Sequence, residues 1–331
     1  MSFAEITRSA LAVLLCFLSL AACGEEVEPS QPDGSVPGAP GGLALSTVTV
    51  NFQEGISAAV LSWQDSENET GFELERQDLL SESPFERIAM LSADVSEYRD
   101  EGVVLGRPYI YRIRAVNEAG ASAPSSLDVT PLPTDATVLF DGTDLSAWEP
   151  EEAGGELWPV EEGAIEVRPG EKVGDNDLRT REFYRDFWLH VEFNVPASSE
   201  DADEQERGNS GVYLQGRYEI QILDSYRRDL EGENDVGAVY GVSDASENAS
   251  LPAGEWQRYD ILFSAPRYDG DTKVQDARVS VRLNGTLIQD DVRIPGSTRL
   301  GNDEGSETGS VVLQAHRDKV RYRNIWVRRL E

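Results

Sequence analysis

Arg217-Tyr218-Glu219-Ile220-Gln221-Ile222-Leu223 is the stretch on which the fold turns. Along an extended chain Tyr218, Ile220 and Ile222 fall on one side, and Arg217, Glu219 and Gln221 on the other. A helix would scatter both sets around its surface, so the period of two specifies a strand with one apolar and one polar face. The apolar face must be core, which leaves Arg217, Glu219 and Gln221 as a row expected on the concave side of a sheet. Similar runs stand upstream in Phe187-Trp188-Leu189-His190-Val191-Glu192-Phe193 and Gly211-Val212-Tyr213-Leu214. They continue downstream in 257–263, 277–283, 310–316 and 320–327. No helix-period run exceeds about two turns. The region is therefore all-β, and its length suggests two large curved sheets packed as a jelly roll.

Toward the N-terminus the rhythm changes. From Pro40 to about Pro131, short β-rich runs recur at roughly ten-residue spacing, broken by Gly, Asn, Asp and Ser. About seven strands in about 90 residues without cysteine is the size of a smaller sandwich. Pro40, Trp63, Asn68-Glu69-Thr70-Gly71-Phe72, Tyr109-x-Tyr111-Arg112-x-Arg114-Ala115-x-Asn117 and Gly120-x-Ser122-x-Pro124-Ser125 together resemble a fibronectin type III domain. Trp63 and Tyr111 are expected in its core, and the resemblance implies a spacer or adhesion unit. Thr130-Pro131-Leu132-Pro133-Thr134 reads as the linker.

Arg8 precedes an apolar run, Ala10 to Leu20, too short to span a bilayer as a permanent helix. Leu20-Ala21-Ala22-Cys23 then resembles the end of a bacterial lipoprotein signal, with Cys23 as the lipidated residue. The alternative is an ordinary signal peptide with an incidental cysteine. The expectation is an exported protein held to a membrane through Cys23, at the outer membrane, in the periplasm or on the cell surface. Gly24 after the cysteine, where Asp is absent, favours the outer membrane. The reading thus divides the chain into a signal at 1–23, a Pro/Gly/acid linker at 24–39, the fibronectin type III sandwich at 40–132 and the jelly roll at 136–331.

Composition narrows the function. Among 331 residues there are 29 Lys+Arg against 61 Asp+Glu, a net charge of −32. That charge argues against a sequence-independent grip on nucleic acid. Two cysteines and two histidines leave no Cys-rich zinc or iron–sulfur site and little room for a multi-His centre. No Walker, Rossmann or nucleophile-elbow motif appears. No cofactor is evident, although a divalent cation held by Glu219, Asp224 and His316 is an alternative.

The second region carries a series of motifs in order. They are Leu139-Phe140-Asp141-Gly142-Thr143-Asp144-Leu145-Ser146-x-Trp148, Trp158-x-Val160-Glu161-Glu162-Gly163-Ala164-Ile165 and Asp177-Leu178-Arg179-Thr180. Next come Gly208-Asn209-Ser210-Gly211-Val212-Tyr213-Leu214, Tyr218 to Asp224, Gly237-Ala238-Val239-Tyr240 and Gly254-Glu255-Trp256. Leu283-Asn284-Gly285, Leu313-Gln314-x-His316 and Arg323-Asn324-Ile325 close the series. Over about residues 137–331 the chain resembles the 3-keto-disaccharide hydrolase family, whose fold is a concanavalin A-like jelly roll. The resemblance implies cleavage of a glycoside already oxidised at C3 of the sugar, with a separate sugar 3-oxidoreductase as partner.

Such chemistry has its own requirements. A C3 ketone acidifies the C2 proton, and its loss gives an enolate whose C1 substituent can leave. The site needs a base near C2, an electrophile at the C3 oxygen and an acid at the leaving oxygen. It does not need two carboxylates astride the glycosidic bond. Glu219 is the leading base, with Gln221 standing where a second carboxylate would sit in laminarinase-type strands. Gln314 and His316 share a face, and His316 is the candidate acid or metal ligand. Arg217, Asn209, Tyr213, Gln314 and Tyr240 are the expected substrate contacts. Each has a plainer alternative: Glu219 an exposed carboxylate paired to Arg217, His316 a structural histidine, Asn209 and Tyr213 packing residues. His190 and Glu192 face away from their strand's apolar set, so His190 is placed on the surface or the second face. Trp256 is expected in the core, and Asp224 as a turn cap or cation ligand. An enzyme acting on 3-keto-glycosides is thus weighed against a non-catalytic carbohydrate-binding or adhesion lipoprotein, with a conventional endoglycosidase as a weaker third reading.

Overall fold

The alternating runs are strands in the computed structural model, which describes residues 34–330 apart from 82, 199–203, 231, 233, 299–300 and 306–307. The signal, Cys23 and most of the 24–39 linker lie outside the described residues. The first unit is built from β1 (Gly41–Asn51), β2 (Ile56–Gln64), β3 (Gly71–Asp78), β4 (Glu86–Ser92), β5 (Glu97–Asp100), β6 (Tyr109–Asn117), β7 (Gly120–Ala121) and β8 (Ser125–Val129). A sheet of order β1-β2-β5 faces a second of order β4-β3-β6-β7, with β8 also on β6, the arrangement of a fibronectin type III sandwich. Ala59, Leu61, Trp63, Phe72, Leu74, Tyr109, Tyr111 and Ile113 fill the space between them.

The second unit comprises β9 (Ala136–Phe140), β10 (Trp148–Pro150), β11 (Val160–Glu161), β12 (Ala164–Glu166), β13 (Leu178–Thr180), β14 (Asp186–Asn194), β15 (Ser210–Leu214) and β16 (Tyr218–Ile222). It continues with β17 (Gln257–Ser264), β18 (Arg267–Asp269), β19 (Thr272–Gln275), β20 (Ala277–Leu283), β21 (Thr286–Ile294), β22 (Val312–Leu313) and β23 (Arg321–Leu330). A five-stranded sheet, β10-β13-β22-β15-β16, packs on an eight-stranded one, β11-β12-β23-β14-β17-β20-β21, with β9 added on β23. Val212, Leu214, Tyr218, Ile220, Ile222 and Leu313 from the first meet Phe187, Leu189, Val191, Phe193, Tyr259, Ile261 and Phe263 from the second in one core. The apolar set read at 217–223 is thus inside, and Glu219 and Gln221 lie on the outer face of the five-stranded sheet.

The opposite outer face is covered by the first sandwich. Trp188 and Trp326 pack with Leu105 there, with Val48, Val50, Phe52 and Leu132 around them. Leu132 belongs to the linker, and the neighbouring Pro131 carbonyl accepts from Gly106 N at 2.8 Å, so the junction is pinned. Gly106 has a positive φ, and a Cβ there would run into Asn324 and Trp326, which is why glycine stands at this approach.

Between the units lies a buried ion network. Arg107 donates to Glu192 through Nε at 2.6 Å and Nη2 at 2.9 Å, and to Asp78 at 2.9 Å. Arg323 Nε adds a contact to Glu192 at 2.8 Å and Asn324 Nδ2 another at 2.9 Å. His190 is not on the surface, as its outward register suggested, but 1% exposed. Its Nδ1 lies 2.8 Å from Asp260 and its ring is stacked on Trp326. The register places it on the second face, and no local pattern signals that another domain covers that face. Trp256 is likewise not core. It is half-buried, with the Arg323 guanidinium 3.9 Å from its ring centroid.

Burial alone would push the Glu192 carboxyl up, but the Arg107 hydrogen bonds and charge, then that of Arg323, hold it down at about 2. A depressed carboxyl stabilises the fold above its unfolded value of 4.5 and loses that contribution as pH falls toward about 2. Wild type should therefore lose melting temperature across that acid window. At neutral pH, Arg107→Ala should cost about 3 kcal/mol by leaving a buried carboxylate under-compensated. Thermal unfolding of the two-domain chain checks both, and an unchanged melt for Arg107→Ala would contradict the network's role.

Candidate active site

The site grows from the β15–β16 hairpin. Gln215 and Gly216 both have positive φ, and Arg217 N closes onto the Leu214 carbonyl at 3.1 Å. This tight turn sets the register in which Tyr213 opposes Glu219 and Gly211 opposes Gln221. A Cβ on Gly211 would fall against the Glu219 carboxylate, so the glycine is the space the carboxylate occupies. Beyond β22 the chain continues alongside β15, with Gln314 N donating to the Gly211 carbonyl at 2.9 Å. Ala315 points into the core, and its neighbours Gln314 and His316 therefore turn outward.

Asn209, Glu219, Gln221, Tyr240, Gln314 and His316, with Val173 and Gln205, line one cavity of about 380 Å³. Six residues singled out from sequence are thus brought together. Tyr213 stands beside them, its hydroxyl donating to Glu219 Oε2 at 2.8 Å and accepting from Gln314 Nε2 at 3.2 Å. Because the oxygen accepts from Gln314, its single proton is committed to Glu219. Gln221 Nε2 donates to Asn209 Oδ1 at 3.3 Å, and Asn209 Nδ2 donates to the Gln205 carbonyl at 2.9 Å. Three buried polar atoms here have no protein partner: Gln221 Oε1, Gln314 Oε1 and His316 Nδ1. Buried polar atoms are ordinarily satisfied, so these three mark where a hydrogen-bonding ligand goes.

Two named residues lie elsewhere. Arg217 does not line the cavity. Its guanidinium donates to Gln215 Oε1 at 3.0 Å and to the Asp303 carbonyl at 3.0 Å, so it holds a loop and does not pair with Glu219. Asp224, just past β16, accepts from Tyr226 N at 3.4 Å as a turn cap. Glu219, Asp224 and His316 do not converge as a cation site. Among the described residues, the acidic and imidazole ligand atoms that cluster in threes belong to exposed or half-buried Asp65, Glu69 and Asp94 of the first sandwich.

One carboxyl was not singled out. Asp177, at the head of β13, accepts from Ala315 N at 2.6 Å and opens on an adjoining cavity of about 260 Å³. Tyr213, Gln314 and Val173 line that cavity as well. Alternation with buried Leu178 and Thr180 does place Asp177 outward. What a single sequence hides is that β13 pairs with β22, through Leu178 and Leu313.

Burial pushes the Glu219 carboxyl up to about 8; the Tyr213 hydrogen bond opposes this and the Asp177 charge adds to it. Burial likewise raises Asp177 to about 7, against the Ala315 N–H and with help from Glu151, Glu152 and Asp175. Burial lowers His316, partly offset by Asp318, so its imidazole is neutral at neutral pH. The cavity therefore holds a carboxyl that exchanges its proton near neutrality, a neutral imidazole and several amides, a set suited to moving a proton. A raised carboxyl keeps a proton the unfolded chain gives up, so stability falls as pH rises from 4.5 through about 8. Glu219→Gln should flatten part of that slope in melts taken between those values, and Asp177→Asn the rest. An unchanged slope in the double variant would contradict the burial argument.

Comparison with known proteins bears on the family of the second unit. The family model described as 3-keto-alpha-glucoside-1,2-lyase-like domain matches residues 135–328. A crystal structure of a candidate glycosyl hydrolase from Parabacteroides distasonis is similar at 34% identity and a TM-score of 0.54, covering 64% of this chain and 86% of that one. A second from the same organism, also described as a candidate glycosyl hydrolase, has 23% identity and a TM-score of 0.43, over 59% and 94%. Residues 135–328 span more than half of the chain, and with them the protein belongs to the 3-keto-alpha-glucoside-1,2-lyase-like domain family.

Proposed function

We propose that the domain cleaves glycosides already oxidised at C3, by taking the C2 proton and expelling the C1 substituent. The observation that carries the reading is Glu219, one carboxyl raised to about 8 among unpartnered acceptors on the outer face of a sheet. Gln221 occupies the place of a second carboxylate, which speaks against double displacement.

In this reading the oxidised ring occupies the cavity lined by Asn209, Glu219, Gln221 and His316. Gln221 Oε1 accepts a hydrogen bond from one of its hydroxyls. Ionised Glu219 removes the C2 proton, and the electron pair passes to the C3 oxygen. A neutral imidazole N–H on His316 stabilises that oxyanion. The C1–O bond then breaks as the C1=C2 bond forms, and the proton on Glu219 is the one available to the leaving oxygen. Tyr213 stays bound to Gln314 and keeps the carboxyl in place. Water can add across the new double bond afterwards. His316, neutral here, serves as a hydrogen-bond donor, a role better matched to its lowered pKa than that of acid.

The domain contributes no nucleotide-binding motif, so the C3 oxidation belongs to a separate sugar oxidoreductase. We place the protein outside the cytoplasm as a lipoprotein anchored at Cys23, on the strength of the N-terminal sequence alone.

A 3-keto-glucoside with a chromogenic leaving group should release it, and the unoxidised parent should not. Glu219→Gln should lower kcat by roughly 10³-fold while still binding the keto sugar, the loss expected for a general base. Since Glu219 must be ionised, kcat/KM should rise with pH and level off above about 8. Binding without release by wild type would establish a carbohydrate-binding module, and wild-type-like turnover in Glu219→Gln would overturn the assignment of the base.

A further inference from the structure

The second cavity is not explained by chemistry at C2. It adjoins the first through Val173 and Gln314, and Glu151, Glu152, Asp175 and Asp177 stand in its wall. Among the described residues lining it there is no lysine or arginine. Acidic walls are common in a chain of net charge −32, so the carboxylates alone say little.

One buried acceptor says more. Gln314 is 4% exposed and lines both cavities, and its Oε1 has no partner while its Nε2 is spent on Tyr213. Glu151, half-buried, is already paired with Arg179 at 3.5 Å, so its charge is met from outside the cavity wall. That amide oxygen, beside Glu152, Asp175 and Asp177, none of which is in an ion pair among the described residues, forms a place for a group that is positively charged and carries N–H. The carboxylates do not come together as a compact cage, since among the described residues the acidic triple close enough to share an ion is Asp65, Glu69 and Asp94. A spread of acceptors around a cavity of about 260 Å³ fits a diffuse ammonium better than a small metal ion.

We propose that this adjoining cavity is the leaving-group subsite and that it selects an aglycone bearing a protonated amine. The inference rests on the reading that the oxidised sugar occupies the Glu219 cavity. The ammonium lies against Asp177, Glu152 and the Gln314 carbonyl, and Val173 and Gln314 form the threshold that the glycosidic bond crosses. Burial holds Asp177 up at about 7, so an arriving cation draws it into its ionised form and a proton leaves.

The test compares two 3-keto-glucosides of equal shape, one with a 2-(dimethylammonio)ethyl aglycone and one with the neutral 3-methylbutyl isostere. The expected result at low salt is a kcat/KM about tenfold higher for the ammonium substrate, an advantage that shrinks as salt screens the carboxylates. Glu152→Gln and Asp175→Asn, the first on an exposed side chain, should each bring the ratio of the two substrates toward one. Asp65→Asn in the first sandwich should leave that ratio unchanged and so separates the subsite from the overall negative field. Equal kcat/KM for both substrates overturns the amine subsite while leaving the function of the Glu219 cavity standing. Equal stimulation of both by calcium or magnesium, reversed by chelator, also overturns it and makes the cavity a metal site. Release of neither aglycone, with no binding of either to Glu219→Gln, overturns the reading of the main cavity and this one with it.

Discussion

Everything at the site depends on the register of one hairpin. Val212, Leu214, Tyr218, Ile220 and Ile222 are sealed in the core, and a strand slipped by one residue would carry Glu219 and Gln221 inside and the apolar set out. The closing turn at Gln215 and Gly216 forbids that slip by fixing which residues oppose. Two neighbours then lock the carboxylate-bearing strand. Thr298 Oγ1 accepts from Glu219 N at 2.9 Å, and Tyr240 N donates to the Glu219 carbonyl at 3.1 Å. The hydrophobic effect therefore decides where the chemistry stands, and hydrogen bonds decide how finely.

The same alternation governs the other side of the sandwich and explains the first domain's place. In β14 the residues between Phe187, Leu189, Val191 and Phe193 are Trp188, His190 and Glu192, all buried although none belongs to the main core. A face so rich in polar and aromatic groups is stable under cover only if each group meets a partner. Arg107 meets Glu192, the Leu105 carbonyl accepts from Trp326 Nε1 on the neighbouring strand, and the Phe52 ring meets that of Trp188 edge-on. Buried ion pairs add little net stability over an apolar contact but strongly penalise any other arrangement. The first sandwich is thus held in one orientation, on the face opposite the Glu219 cavity, and leaves that cavity open.

How much of this could be read in advance follows from what alternation encodes. It reports facing within a strand, so Glu219 with Gln221, and Gln314 with His316, were legible before any coordinates. It is blind to which strands become neighbours. Asp177 was missed because only the β13–β22 pairing brings it beside Gln314, and no local pattern announces that pairing. It also fails where a strand ends. Arg217 has the right parity but precedes β16, and its long side chain swings to the Asp303 loop. His190 shows a third failure: parity says which face, whereas a second domain decides what that face meets.

The remaining question is why an acidic chain would keep its key carboxyl so far from cations. Arg217 could have reached for Glu219, and such a pairing would have held the carboxylate ionised and made it a weak base. The structure instead spends that arginine on a loop and gives Glu219 a phenol, which stabilises the ionised form far less than a guanidinium. Asp177 adds negative charge from the adjoining cavity. Burial raises the proton affinity of the carboxyl most, the Asp177 charge adds to it and the Tyr213 hydrogen bond opposes it only in part, so Glu219 is largely protonated at neutral pH. A ligand that brings N–H or ammonium groups into the second cavity would remove part of the Asp177 repulsion and let Glu219 ionise when a substrate is in place. Basicity would then be held in reserve by two carboxyls acting on each other, with Tyr213 and Gln314 as the wall between them.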